Sequence, residues 1–251
     1  MSVEDDEFNK ERVRNISALG RDAALKGFSY IWQRETAPYK YVYNFSWLGR
    51  PIIQFPQDIL AMQELIWSVK PDLVLETGIA RGGSLIFIAS MLELNAICGG
   101  PAGAEVIGVD IDIRSHNREA IEAHPMSRRV TMIQGSSVDE NVIQEVRARA
   151  SKKSRVMVFL DSDHTHDHVL AELNAYALLT AVDSYCVVFD TAIEEMPETM
   201  FSDRPWGPGN NPMTAVRKFL ETTDHFRIDH AIADKLLITV APHGFLRRIK
   251  D

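Results

Sequence analysis

The sequence predicts an α/β fold built on a doubly wound, seven-stranded, mostly parallel sheet whose last strand is reversed. Three observations point to it. Short, nearly continuous apolar runs recur along the chain, as in strands covered on both faces. Helical patterns fall between most of them. The last two runs stand too close together for a parallel crossover and imply a hairpin.

Residues 4–35 mix charges with apolar residues at helical spacing, which predicts one or two N-terminal helices. The aromatic stretch YKYVYNFSWLGRPIIQFPQD (39–58) contains prolines and a glycine that deny it a regular element, so it reads as an ordered entry loop. Asp58 is placed to cap a helix over DILAMQELIWSVK (58–70). Strands follow at 72–76, 105–110, 130–134, 155–161 and 185–190, with helices at 84–95, 115–123, 137–150, 167–180 and 212–222. FRIDHAIA and KLLITVAP, joined at about Asp234, supply the terminal hairpin. A boundary near residue 57 divides the helices and entry segment (1–57) from the α/β unit (58–251).

The chain has 251 residues, 45% of them hydrophobic, enough for one substantial core. A net charge of −8 without a basic stripe argues against nucleic-acid binding through the phosphate backbone. MSVEDDEFNKER is acidic and lacks the apolar region of a signal peptide, and no apolar stretch approaches the roughly 20 residues of a membrane span. Cys98 and Cys186 lie far apart, with Cys186 in an apolar run, and read as free thiols in a reducing compartment. The expectation is a soluble, cytoplasmic protein. Its N-terminal helices could equally cover a ligand or join copies in a homo-oligomer.

Four predicted strands finish on a carboxylate: Glu76, Asp110, Asp161 and Asp190. Ligands of open α/β sheets sit beyond the carboxyl ends of the strands, where an acid is directed at a ligand. Inside the sheet it would be an unpaired buried charge. After the first strand, ETGIARGGS (76–84) carries Gly78, Gly82 and Gly83, which would let the backbone approach a ligand, and Ser84 opens a helix. The spacing is not the dinucleotide fingerprint, a P-loop would need lysine where Gly83 stands, and no G-x-S-x-G elbow exists. An acid before a glycine loop suits a ligand with a ribose and an amino-acid tail. Glu76 would attract the ammonium and Asp110 the ribose hydroxyls, with Ser136 and Ser137 near the adenine. S-adenosylmethionine fits this pattern better than a nicotinamide.

The stretches LVLETGIARGGSLIFIASMLEL, GVDIDIRSHNREAIEAHP, IQGSSVD, FLDSDHTHDHVLAEL, YCVVFDTAIEEMP and DRPWGPGNNPMTAVRKFL together resemble the cephalosporin hydroxylase family over roughly residues 40–250. That family is similar in fold to the Rossmann-like class I methyltransferases that use S-adenosylmethionine and a metal. It includes a protein implicated in cephem methoxylation and relatives described as rhamnosyl O-methyltransferases. The resemblance implies an S-adenosylmethionine-dependent O-methyltransferase, with a sugar, a glycosylated metabolite or a β-lactam as acceptor. Polysaccharide or antibiotic biosynthesis would be its setting. It also implies a magnesium ion on Asp161 and Asp190. Phe189 stands where part of the family has a second acid, leaving Thr191 or Glu194 as substitutes.

FLDSDHTHDHVL (159–170) invites a zinc reading, but Thr165 stands where H-E-x-x-H needs glutamate. His166 and Asp167 read as a solvated helix start, and His168 as packing under the rim against backbone or Asp163. The catechol-type enzymes that the fold resembles place a general-base lysine three residues after the aspartate, where this chain has His164. An imidazole, with an ordinary pKa near 6.5, suits that role. FSDRPWGPGNNP (201–212) reads as an irregular lid whose Arg204 and Trp206 could contact a polar ring. Two alternatives keep the fold: a component of hydroxylation or methoxylation, for which no convincing iron or haem ligands exist, and a non-catalytic S-adenosylmethionine-binding accessory subunit.

Overall fold

A computed structural model describes residues 3–251; Met1 and Ser2, the first residues of the stretch read for a leader, lie outside it. Helices α1 (Val3–Arg21) and α2 (Ala23–Thr36) lead into two short 3-10 turns. Asp22 accepts a hydrogen bond from the Leu25 N–H (3.0 Å) and so caps α2. The entry segment is less irregular than its composition suggests. Strands β1 (Phe45–Trp47) and β2 (Arg50–Ile52) pair antiparallel across a two-residue turn, Leu48–Gly49, with φ of +45° and +85°. Two positive φ values give the turn the twist that antiparallel neighbours need.

The main unit runs α3 (Pro56–Val69), β3 (Leu73–Thr77), α4 (Gly83–Ile97), β4 (Glu105–Asp110), α5 (Ser115–Glu122), β5 (Val130–Gln134), α6 (Glu140–Ala150) and β6 (Val156–Leu160). It continues with α7 (His166–Tyr176), β7 (Tyr185–Val188), α8 (Pro212–Thr222), β8 (Phe226–Ile228), α9 (His230–Leu236) and β9 (Phe245–Arg248). The seven strands lie in the order β5-β4-β3-β6-β7-β9-β8, with β9 alone antiparallel to its neighbours. This is the predicted fold class, a doubly wound sheet covered on both faces. Alternation along the strands sorts the core: Val74, Val106 and Met157 pack with α3 and α4 on one face. Leu73, Leu75, Ile107 and Val158 pack with α6, α7 and α8 on the other. Among the described residues no helix is long and apolar enough to cross a membrane. Cys98 and Cys186 are both free.

The C-terminal hairpin takes a different form from the one expected. Residues 230–236 form α9, and the reversed strand lies at 245–248, not at 235–242. The run HAIADKL is rich in helix formers, and its Ile232 and Leu236 pack on the core from one helical face. Strand β9 was obscured by Arg247 and Arg248, although Phe245 and Leu246 are buried between β7 and β8. Asp58 does not cap α3, which starts at Pro56 after a Phe55 cap without a side-chain bond. Its buried carboxylate instead accepts hydrogen bonds from the Thr239 hydroxyl and the Val240 N–H, tying α3 to the segment before β9.

The two central strands diverge at the site. From β3 the chain passes outward to β4, and from β6 to β7 on the other side, so a crevice opens between their carboxyl ends. Immediately beyond them the backbones nearly touch. The Asp161 N–H donates to the Thr77 carbonyl (3.0 Å), while the Gly78 N–H donates to Val109 (2.8 Å). Gly78 has φ +89°, and a Cβ there would overlap the carbonyl oxygen of Asp161. At Gly83 a Cβ would overlap the Pro51 carbonyl, so the missing side chain lets the entry segment lie on the start of α4.

Two stability measurements follow from these contacts. Burial raises the Asp58 carboxyl from its ordinary 3.8 to about 7, against the opposing bonds from Thr239 and Val240. Its stabilising contribution is therefore complete below about pH 4 and is lost as pH rises through about 7. Asp58→Asn, which cannot ionise, should flatten that fall in urea titrations; an unchanged pH profile contradicts the assignment. Gly78→Ala should lose on the order of 3 kcal/mol, because strained φ adds to overlap with the neighbouring strand end. Gly49→Ala, also at positive φ but facing open space, should lose only about 1–2 kcal/mol. Equal losses would show that the close approach to Asp161 is not a constraint.

Candidate active site

Beyond the strand ends lies a cleft of about 440 Å³ lined by Gly78, Asp110, Ser136, Ser137, Asp161 and Trp206, among others. Asp110 ends β4 and organises the first turn. One of its oxygens accepts the N–H groups of Ile79 (2.8 Å) and Ala80 (3.1 Å), and the other accepts that of Asp112 (2.9 Å). A carboxylate has about four lone-pair positions, so the side chain can shape the turn and still meet a ligand hydroxyl. Of the three glycines read as making room for a ligand, only Gly78 lines this cleft. Gly82 and Gly83 are required by protein neighbours, since a Cβ would overlap the Ile121 side chain at Gly82 and the Pro51 carbonyl at Gly83.

Glu76 is not a terminal residue. It lies inside β3, wholly buried, and Ser84 donates to one of its oxygens (3.0 Å) while the other has no hydrogen-bond partner. Burial raises its carboxyl from 4.5 to about 8, with Ser84 opposing and Asp110 adding to the rise. A buried carboxyl without full pairing is costly, and such groups concentrate where a ligand completes them.

Asp161 follows β6 directly, and Asp190 lies two residues beyond β7 in the left-handed region at φ +56°. One ligand atom from each of Asp161, His164 and Asp190 lies within 4.8 Å of those of the other two. His164 Nε2 is 3.5 Å from an Asp190 oxygen. Burial, and then the charges of Asp190 and Glu76, push the Asp161 carboxyl well above its ordinary range. Phe189 is 1% exposed and meets Phe159 edge-on in the core, with centroids 6.0 Å apart, so its position does not open on the cluster. Neither expected substitute joins the cluster. Thr191 is buried with its hydroxyl accepting from the His243 N–H (3.4 Å). Glu194 accepts from the Gly209 N–H (2.8 Å), the Asn211 amide (2.6 Å) and Arg217 (3.3 Å). The third member is His164.

The rest of the histidine stretch fastens the surroundings. Helix α7 starts at His166, later than a cage of His164 and His168 on one helical face would need. His166 is not simply solvated: its ring nitrogen lies 2.8 Å from the Thr214 hydroxyl, and its N–H donates to the Asn210 side chain (2.9 Å). His168 lies 3.0 Å from the Ser137 hydroxyl, and Glu172, 3.5 Å away, raises its pKa against burial. Glu172, which the sequence reading missed, is fully buried and accepts from the Ser162 hydroxyl (2.7 Å). Its position four residues after His168 was the available signal. Trp206 meets His164 edge-on at 4.9 Å and carries the Arg204 guanidinium at 5.4 Å from its ring centre. Loop 201–212 is therefore built around Trp206 and Glu194 and reaches the site through the tryptophan.

Comparison with known proteins gives the family. A family model described as "Rhamnosyl O-methyltransferase/CmcI" matches residues 39–249. A rhamnosyl O-methyltransferase from Mycobacterium tuberculosis is 30% identical over 196 residues, covering 76% of this chain and 73% of that protein. One from Mycobacterium leprae is 28% identical over 224 residues, covering 88% and 86%. A CmcI structure with magnesium and S-adenosylmethionine superposes with a TM-score of 0.57 at 18% identity, over 83% of this chain and 78% of that one, a likeness of fold. With the match extending over most of its length, the chain belongs to the rhamnosyl O-methyltransferase/CmcI family.

Proposed function

We propose that this protein is an S-adenosylmethionine-dependent, magnesium-dependent O-methyltransferase acting on a hydroxyl of a sugar or of a glycosylated or secondary metabolite. The observation that carries this reading is the position of Asp161, which lines the nucleotide-sized cleft and belongs to the Asp161–His164–Asp190 cluster. Names of relatives and the magnesium and S-adenosylmethionine of the CmcI structure support it.

In the cleft, Asp110 would receive the ribose hydroxyls, Ser136 and Ser137 would flank the adenine, and the unpartnered oxygen of Glu76 would meet the ammonium of the amino-acid tail. The donor sulfonium would then face Asp161. Two carboxylates that repel one another suit a hard divalent cation with oxygen ligands; burial first, and then the charge of Asp190, hold the Asp161 carboxyl well above its ordinary range. Magnesium held by Asp161 and Asp190 would supply positive charge to orient the acceptor oxygen and increase its acidity. The donor would supply its methyl group to that oxygen and leave as a neutral thioether, and His164, which Trp206 meets edge-on, would accept the hydroxyl proton. Much of the acceleration comes from alignment, since effective molarities of well-placed partners are on the order of 10⁵–10⁸ M.

The acceptor has a second recess to occupy. A pocket of about 220 Å³, lined by Tyr41, Phe55, Ile193, Met196 and Phe201, reaches Asp190 from the side of α2 and the entry segment. We assign the stretch 33–55, within the N-terminal segment 1–57, to that acceptor wall, and 58–251 to the donor-binding unit.

Liquid chromatography of S-adenosylhomocysteine formed across a panel of rhamnosyl and other glycoside acceptors tests the reading. Turnover should require magnesium. His164→Ala should lower kcat/KM about 10²–10⁴-fold. Asp161→Ala should abolish turnover while donor binding persists in calorimetry. Turnover indifferent to chelation or to these substitutions contradicts the assigned roles, and donor binding without turnover on any acceptor favours an accessory protein.

A further inference from the structure

Beside the large cleft lies a smaller recess, about 40 Å³, formed by Pro51, Ile53 and Gln54 of the entry segment against Gly78, Ser84 and Asp161, among others. Gly78 and Asp161 also line the large cleft, so the two spaces adjoin. Gln54 is only 3% exposed, yet neither its amide oxygen nor its amide nitrogen has a hydrogen-bond partner. An amide with both ends unpaired in the interior is unfavourable unless something polar arrives. Gly83 brings it there, since only a glycine allows the 51–52 backbone to lie so close to the start of α4.

The surroundings define what would pair with it. The first turn of α4 leaves N–H groups without intrahelical partners, and its Gly82 cap has no side-chain bond. Ser84, at the wall of the recess, donates to Glu76, whose other oxygen is also unpartnered. A donor at one end and acceptors at the other match a zwitterion, with the carboxylate towards the helix start and the ammonium towards Glu76. Resting on the donor reading above, we infer that Gln54 binds the α-amino-acid tail of the methyl donor, its Nε2 donating to the carboxylate and its Oε1 accepting from the ammonium. The entry segment thereby becomes part of the donor site as well as the acceptor wall. Donor binding would also fix residues 51–54 against α4.

Calorimetry with two ligands separates this role from a structural one. S-adenosylhomocysteine carries the amino-acid tail, whereas 5′-methylthioadenosine has the same nucleoside and a thioether without it. Gln54→Met, similar in size and apolar, should weaken S-adenosylhomocysteine by about 10–100-fold, the loss expected for bonds to charged groups, and 5′-methylthioadenosine by less than about 2-fold. Gln54→Glu retains a polar side chain of the same size but opposes the carboxylate, and should show the same selective loss. Equal weakening of both ligands, or of neither, overturns the inference. If the unaltered protein binds neither ligand, the donor reading itself fails. Binding of both by the unaltered protein, with no selective loss in either variant, removes only the role of Gln54.

Discussion

The backbone contact between Gly78 and Asp161 constrains everything on the rim. Strand β3 is held on both sides, by β4 and by β6, and its continuation must turn within the space that those neighbours leave. Only a residue without a side chain fits against the Asp161 carbonyl. That fit fixes the main chain of Asp161 beside the first turn, while Asp110 fixes the same turn from the opposite side through the Ile79 and Ala80 N–H groups. The large cleft and the acidic cluster therefore share one wall, set by the sheet.

The electrostatics run against stability. Glu76, Asp58 and Asp161 all sit where burial disfavours their charge, and for Asp161 the carboxylate of Asp190 adds to the effect. Asp58 finds its compensation inside the protein, in Thr239 and Val240. Glu76 finds half of its own in Ser84. Asp161 and Asp190 lie with His164 in one cluster, where the charges of Asp190, Glu76 and Glu172 all oppose ionisation of Asp161. The unmet demand thus increases towards the cleft, and such groups concentrate at functional sites.

Much of this was legible in the sequence. Continuous apolar runs identified the strands from β3 to β7 because two-sided burial leaves little room for polar residues. The acids at the ends of β4 and β6 and after β7 stood out for the same reason. Long-range contacts were less legible. Asp58 looked like a helix cap, and its actual partners lie about 180 residues away. Gly83 looked like ligand-facing backbone, but its close approach to the Pro51 carbonyl could not be read from the sequence. Phe189 looked like a lost ligand, yet the chain turns at Asp190 and leaves the phenyl ring in the core. Helix α9 was hidden because its apolar residues, read as a hairpin, fit either period over so short a stretch. Gln54 gave no signal at all, since an amide among prolines and aromatics is unremarkable until its burial is known.

The most direct measurement is a crystal structure of the protein with S-adenosylhomocysteine and magnesium. The account requires the nucleoside between Asp110 and Ser136–Ser137, the sulfur facing Asp161, and one cation touching both Asp161 and Asp190. A nucleoside bound outside that cleft, or a cation held by other side chains with Asp161 and Asp190 free, would contradict it.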